Sequence, residues 1–132
     1  MTAIVPEPRV TLDLSALAGT WKNTNTVSRG VVRLDIAAGG NELRITAHAA
    51  ESWGSTIAHA YLVDVFDNVG RTLQSDNVAL AFNATFDLGI IDVRLQANIK
   101  AGVLVVAFLT RFHDDSGRSN YFTREFYYRS AA

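Results

Sequence analysis

Ionisable and aromatic side chains alternate along the last part of the chain. In residues 120–129 (NYFTREFYYR), one parity carries Phe122, Arg124, Phe126 and Tyr128; the other carries Tyr121, Thr123, Glu125, Tyr127 and Arg129. A strand turns alternate side chains to opposite faces. If this strand covers a core, either Arg124 or Glu125 must therefore face inward. We expect Arg124 to do so, because its face also carries two phenylalanines.

An inward Arg124 would carry a buried charge, which is costly unless it is paired or hydrogen-bonded. Two interpretations stay open. In the first, Arg124 is a structural residue held by an internal salt bridge or hydrogen bonds. In the second, its guanidinium orients a ligand through a carboxylate or carbonyl oxygen, or stabilises negative charge that develops during a reaction.

His59 and Tyr61 share one parity of an earlier segment with Ile57, and this parity is the bulkier one. We therefore expect both to face inward, which makes His59, Tyr61, Arg124 and Glu125 the candidate catalytic groups. The alternative for His59 is a hydrogen-bonded core or rim histidine. The three histidines lack metal-ligand spacing, so neither a metal site nor a cofactor is predicted.

Composition restricts the classes of protein that fit. The chain has 132 residues, enough for one domain with its own core, and it has no cysteine. Its net charge of −1 gives no electrostatic case for nucleic acid or an anionic membrane as a partner. The first residues lack the pattern of a signal peptide, so we expect a cytoplasmic protein. Residues 1–12, which contain both prolines, are predicted to form an extended leader, and residues 13–132 a single domain.

The domain is predicted to be all-β. A short helical turn is expected at residues 14–17, capped by Asp13 or Ser15. Eight segments then show β-branched, aromatic or alternating patterns: residues 20–25, 30–37, 42–49, 55–66, 77–86, 90–99, 103–113 and 120–129. Their connections are mostly short, which favours antiparallel neighbours that close into an up-and-down barrel. A two-sheet sandwich is the alternative.

Gly19-Thr20-Trp21 at the head of the first predicted strand resembles the G-x-W signature of the lipocalin and calycin barrels. The resemblance implies that Trp21 plugs the closed end of the barrel and that a cationic side chain from the last strand covers it. Arg129 is placed to be that residue, since an antiparallel last strand would end beside the beginning of the first. A guanidinium over an indole face is favourable. In this interpretation Gly19, Trp21 and Arg129 are structural.

A barrel of this kind binds ligands in its lumen and at its mouth. We expect Phe82, Leu95, Phe108, Phe112 and Phe126 to line the lumen and Trp53 to stand at the open mouth, as a lid or simply packed on the rim. The predicted function is enclosure of a largely apolar small molecule. The alternative is a cofactor-free cyclase or isomerase that acts on a hydrophobic substrate in the same lumen. A third interpretation is a self-associating module, a homodimer formed through the apolar outer face of the seventh strand, which carries Val103, Val105, Ala107 and Leu109.

Overall fold

The computed structural model describes residues 12–40, 42–62, 65–66, 72–73 and 77–131. The predicted leader, residues 1–12, lies outside these ranges except for Leu12. The described residues contain ten strands: β1 (Gly19–Asn23), β2 (Arg33–Gly39), β3 (Glu42–His48), β4 (Ser52–Tyr61), β5 (Val65–Phe66), β6 (Thr72–Leu73), β7 (Ala81–Asp87), β8 (Ile91–Lys100), β9 (Val103–Phe112) and β10 (Tyr121–Arg129).

Eight of these strands form a closed barrel in the order β1-β10-β9-β8-β7-β4-β3-β2, and every neighbouring pair is antiparallel. The predicted up-and-down barrel is therefore confirmed, and the sandwich is not the fold. The two-residue strands β5 and β6 pair only with each other, within the connection from β4 to β7. Closure gives each of the eight strands a paired neighbour on both sides along at least part of its length, so the barrel has no free first or last strand.

Alternation along the strands builds one core inside the barrel. In β8, Val93, Leu95 and Ala97 are buried while Arg94 and Gln96 between them are exposed. The inward side chains of the other strands join the same cluster, among them Leu34, Leu43, Ile45, Phe82, Phe86, Leu104, Val106 and Phe108. The expected inward orientation of Phe82, Leu95 and Phe108 is confirmed.

The end of the barrel near Gly19 is plugged by the segment that precedes β1. Residues 15–17 form a single turn, and Asp13 accepts hydrogen bonds from the amide and hydroxyl of Ser15, so Asp13 is the capping residue. The segment is anchored to the chain before β7, because Asp13 pairs with Val78. Leu14 and Leu17 are buried as a result. The plug therefore consists of a turn rather than a helix.

Trp21, Arg129 and Gly19 interlock at this closed end. Trp21 is 1% exposed, and its indole Nε1 donates to the carbonyl of Leu17 over 2.9 Å. Arg129 lies directly across from Trp21 in the β1–β10 register, with its guanidinium carbon 4.6 Å from the indole centroid. The predicted contact is confirmed. It closes the barrel seam between the first and last strands.

Gly19 is required by the path of Arg129. The guanidinium donates hydrogen bonds to the carbonyls of Ala16 and Ala18, and to do so it crosses over Gly19. A Cβ atom on Gly19 would stand 2.8 Å from Nη1 of Arg129, and the φ of +133° is one that other residues rarely adopt. The spacing of Gly19 and Trp21 is thus explained by packing.

A polar network ties the outer faces of β1, β2 and β3 together. Asp35 accepts a hydrogen bond from Thr20 (3.0 Å) and lies 2.8 Å from Nε2 of His48 and 3.3 Å from Nη2 of Arg33. Partial burial raises the pKa of Asp35, but the hydrogen bonds from His48 and Thr20 and the electrostatic effect of Arg33 and His48 outweigh this, and its pKa lies below the usual value. The network lies outside the barrel and is structural.

Trp53 partly closes the opposite end of the barrel. The β3–β4 register shifts at Ala47 and His48, which pair with Gly54 and Ser52, so Trp53 is the extra residue of a β-bulge. Its ring is half-buried and packs edge-on against Phe86 (centroids 5.6 Å apart) and Phe108 (6.4 Å). The expected position of Trp53 at the mouth is confirmed.

Across the described ranges, no helix has the length and apolar character needed to cross a membrane.

Candidate functional site at the barrel mouth

A cavity of about 410 Å³ opens at the mouth of the barrel. It is lined by loop residues 25 and 27–31 together with Trp53, Phe108, Thr110, Tyr121, Thr123 and Glu125, and we call it the mouth pocket. Its origin is the shortness of β1, which pairs with β10 only through Trp21–Asn23 against Tyr127–Arg129. Beyond that point the first half of β10 faces the β1–β2 loop instead of a strand, which leaves room for the pocket.

The β1–β2 loop is held by side-chain hydrogen bonds at both of its ends. Asn23 is buried; its amide donates to the carbonyl of Val31 (3.0 Å), and its side-chain oxygen accepts from the backbone amide of Asn25 (2.8 Å). Asn25 in turn accepts from the amide of Val27 (3.1 Å). Tyr127 also donates its hydroxyl to the carbonyl of Val31, over 2.7 Å. These contacts fix the wall of the mouth pocket before any ligand arrives.

Glu125 provides the carboxylate of the mouth pocket. It accepts a short hydrogen bond from the hydroxyl of Ser28, which joins β10 to the loop. Gly30 gives the carboxylate room, since a Cβ atom there would stand 2.9 Å from Oε2 of Glu125. The hydroxyl of Tyr127 is 3.5 Å from the same oxygen. Glu125 therefore lies half-buried between the barrel wall and the loop, with a strong acceptor facing the pocket.

Tyr127 supports this arrangement without taking part in proton transfer. Burial, with the nearby charge of Glu125 and the hydrogen bond to it, raises the pKa of Tyr127 far above its ordinary value. The hydroxyl therefore stays protonated and keeps donating to the carbonyl of Val31. Glu125 and Arg29 are the charged residues that line the pocket, and Glu125 is the half-buried one held by a hydrogen bond from Ser28, so it is the group suited to orient a ligand.

The prediction that Arg124 faces the lumen is wrong. Arg124 and Phe126 are both exposed, and the guanidinium carbon of Arg124 lies 5.8 Å from the ring centroid of Phe126 on the outer surface. The inward parity is set by Tyr127, which is fully buried and satisfies its hydroxyl inside, and by Arg129, which must reach Trp21. Burial of Tyr127 with its hydroxyl hydrogen-bonded therefore stabilises the barrel more than burial of Phe122 and Phe126, whose rings remain partly exposed to water.

The expected inward orientation of His59 and Tyr61 is also wrong. Both are exposed, while the small side chains between and beside them, Ala58 and Ala60, face the core. Ala60 pairs directly with Phe82, which is buried in the core. The bulkier face of β4 therefore points outward because the barrel interior is already filled from β7.

The remaining predicted residues are divided between the core and the mouth. Phe82 and Leu95 belong to the packed core, whereas Phe108 and Trp53 reach the mouth pocket together with Glu125. Phe112 lies on the rim, beneath the guanidinium of Arg118, whose central carbon is 4.3 Å from its ring centroid.

Two groups of pocket residues have no counterpart in the sequence predictions. Ser28 and Gly30 come from the loop, and Thr110 and Thr123 from the inward faces of β9 and β10. The loop carried a usable signal, because asparagine at two alternate positions, Asn23 and Asn25, is typical of consecutive Asx turns and hence of an ordered loop. The threonines carried none, since their position depends on where β1 ends.

Searches of protein-family models, curated proteins and solved structures each gave no match to this chain. The function must therefore be inferred from the geometry.

Among the residues that the structure describes, no three His, Asp or Glu side chains converge as a metal site would require.

Proposed function

We propose that this protein is a calycin-like barrel that binds a small, largely apolar molecule at its mouth. The observation that carries the proposal is the mouth pocket itself, a cavity of about 410 Å³ that is lined by Trp53 and Phe108 together with Glu125. Ligand pockets of roughly 300–1,000 Å³ typically combine an apolar lining with a few fixed polar groups. The site lies at the mouth because the core side chains occupy the centre of the barrel.

The polar groups indicate which ligands would fit. Glu125 can only accept hydrogen bonds when ionised, so it selects a ligand with a donor such as an ammonium, hydroxyl or amide N–H. Trp53 and Phe108 offer edges and faces to an aromatic or flat apolar body. Glu125 is the half-buried charged group of the pocket, and the other charged lining residue, Arg29, is exposed, so we expect a basic or neutral ligand in place of the acidic one expected from an inward Arg124.

Calorimetric titration with three indole derivatives tests this proposal. Tryptamine, tryptophol and indole-3-acetate share one ring and differ in carrying an ammonium, a hydroxyl or a carboxylate. We expect tryptamine to bind at least about tenfold more tightly than indole-3-acetate, because a charge-assisted hydrogen bond contributes about 1.5–3 kcal/mol. Tryptophol should be intermediate.

Variants separate the apolar from the polar contribution. Glu125→Gln should abolish the preference for tryptamine, whereas Trp53→Ala should weaken all three ligands by a similar factor. Glu42→Gln, a change of the same type at an exposed position on β3, should alter none of the affinities. Equal affinities for the three ligands, or a tryptamine preference that survives Glu125→Gln, would contradict the proposal.

An enzymatic role for the same pocket rests on the same carboxylate. Glu125 could act as a general base toward a bound substrate, as the cyclase or isomerase alternative requires. Nuclear magnetic resonance of a ligand recovered from the protein would distinguish the two, since an enzyme returns a changed molecule and a binding protein the original one. Loss of turnover in Glu125→Gln with retained binding would favour the enzyme.

A further inference from the structure

A second concave surface lies on the outside of the barrel, across β4, β7, β8, β9 and β10. It encloses about 420 Å³ and is lined mainly by outward-facing side chains, including Tyr61, Asn83, Gln96, Asn98, Phe122 and Arg124; we call it the outer groove. The groove exists because the central positions Ala81 and Ala107 are small, while the residues at both ends are long.

The strand register arranges the polar side chains in rows. Asn83 pairs with Gln96, Gln96 with Ala107, and Ala107 with Arg124, so one row crosses four strands. Neighbouring strands lie about 4.8 Å apart, and the groove from β4 to β10 therefore spans about 19 Å along the surface. This length suits an extended ligand rather than a single ring.

The chemistry of the groove matches a chain of hydroxylated rings. The amides of Asn83, Gln96 and Asn98 both donate and accept hydrogen bonds, as sugar hydroxyls do. Tyr61 stands at one end and Phe122 at the other, with 46% and 65% of their surfaces exposed. Aromatic faces in these positions can pack against the apolar C–H faces of sugar rings.

The charge of the groove indicates which class of sugar would bind. Arg124 is the one charged residue among those that line it, and no carboxylate is among them. A guanidinium binds a carboxylate through paired hydrogen bonds. A single cation in a chain of net charge −1 is too little for a nucleic acid backbone. The amides of Gln96 and Asn98, which lie among the small central residues, are also unlike the apolar core of a protein interface.

We infer that the outer groove binds an oligosaccharide that contains uronic acid residues. Arg124 holds a sugar carboxylate, Gln96 and Asn98 bind ring hydroxyls, and Tyr61 and Phe122 pack against the ring faces at the two ends. This site uses the outward side chains of the barrel and is separate from the mouth pocket, whose residues in β10 have the opposite parity.

Calorimetric titration with a galacturonic acid trimer and with the neutral trimer cellotriose tests the inference. We expect saturable binding of the acidic trimer with an affinity at least about tenfold above that of cellotriose, in line with one charge-assisted pair. Arg124→Met should remove the difference between the trimers. The double variant Gln96→Ala, Asn98→Ala should weaken the acidic trimer by about tenfold or more.

Controls make the outcome decisive. Arg44→Met, the same substitution at an exposed position of β3, should leave binding unchanged, and circular dichroism should show that all variants are folded. Tryptamine binding at the mouth pocket should be unaffected in every groove variant, so failure at one site is distinguishable from failure at the other. Absence of acidic-trimer binding at millimolar concentration overturns the inference. So does binding indifferent to Arg124, tighter binding of a single-stranded oligonucleotide, or a homodimer that covers the groove and is dispersed by Phe122→Ser.

Discussion

Coupling between Gly19 and Arg129 is the sharpest test of how the barrel closes. The guanidinium of Arg129 crosses Gly19 to reach the carbonyls of Ala16 and Ala18 and to cover Trp21. Gly19→Ala should therefore destabilise the protein partly by displacing Arg129. In the Arg129→Met background there is no guanidinium to displace, and the same substitution should cost less.

The magnitudes follow from the contacts. Two hydrogen bonds contribute about 1 kcal/mol each, a modest value because the side chain is exposed, and the indole contact contributes about 0.5–1 kcal/mol, so Arg129→Met should cost about 2.5–3 kcal/mol. For Gly19→Ala, the φ of +133° alone costs about 1–3 kcal/mol. Displacement of Arg129 should add about 1–2 kcal/mol, and this addition is the coupling energy that a double-mutant cycle measures.

Urea unfolding followed by far-ultraviolet circular dichroism gives the four free energies, without interference from changes in Trp21 fluorescence. Gly40→Ala provides the matched control, because Gly40 has a φ of +59° but no atom within 4 Å of an added Cβ. Its cost should be the same with Arg129 or Met at position 129. Additivity of Gly19→Ala and Arg129→Met within about 0.5 kcal/mol would refute the packing explanation of Gly19.

Three further predictions concern the mouth and the outer network. Tyr127→Phe should destabilise the protein by about 1–2 kcal/mol in urea unfolding, because the carbonyl of Val31 loses a buried donor; a change below about 0.3 kcal/mol would contradict this. Acrylamide should quench the half-buried Trp53 but not Trp21, so Trp53→Phe should remove most of the quenchable emission; unchanged quenching would contradict the packing at the mouth. Because the pKa of Asp35 is lowered in the folded state, its carboxylate stabilises the protein at pH values above its ordinary pKa of 3.8, and this stability is lost as pH falls toward the folded-state pKa. In Asp35→Asn, the free energy of unfolding should therefore fall less steeply as pH decreases below about pH 4. An unchanged dependence on pH would contradict this.

The sequence was sufficient to predict the barrel because patterns of local origin determine it. Alternation located the eight barrel strands, and short connections made them antiparallel neighbours. The resemblance of Gly19-Thr20-Trp21 to the G-x-W signature implied a cationic cover for Trp21, and strand order selected Arg129, since the last strand of a closed barrel must end beside the start of the first. Gly19 was then explained by the same geometry. The strand count and the antiparallel order used only local patterns, whereas the roles of Gly19, Trp21 and Arg129 came from the resemblance.

The orientation of β10 could not be derived in this way. Alternation separates two faces but does not say which is inside when both carry aromatic residues. The decision depends on distant partners: the hydroxyl of Tyr127 donates to the carbonyl of Val31, and the carboxylate of Glu125 accepts from the hydroxyl of Ser28. His59 and Tyr61 in β4 were assigned inward for a similar reason, whereas the structure turns the small side chains of that strand toward the core, beside the buried Phe82 of β7. The size of the side chains on one face of a strand therefore does not predict which face points inward when side chains from neighbouring strands fill the interior.

The parity of β10 also determines how the two proposed sites relate to each other. Thr123 and Glu125 face the mouth pocket, whereas Phe122 and Arg124, their immediate neighbours, face the outer groove. Adjacent substitutions on one strand therefore probe different sites: Glu125→Gln should change the response to tryptamine and leave the acidic trimer unaffected, and Arg124→Met should do the reverse. If each substitution changed both affinities, the explanation would be a displacement of the β10 backbone, because both faces of the strand share that backbone. Opposite and separate effects would show that one strand, through alternation alone, serves two ligands of opposite charge.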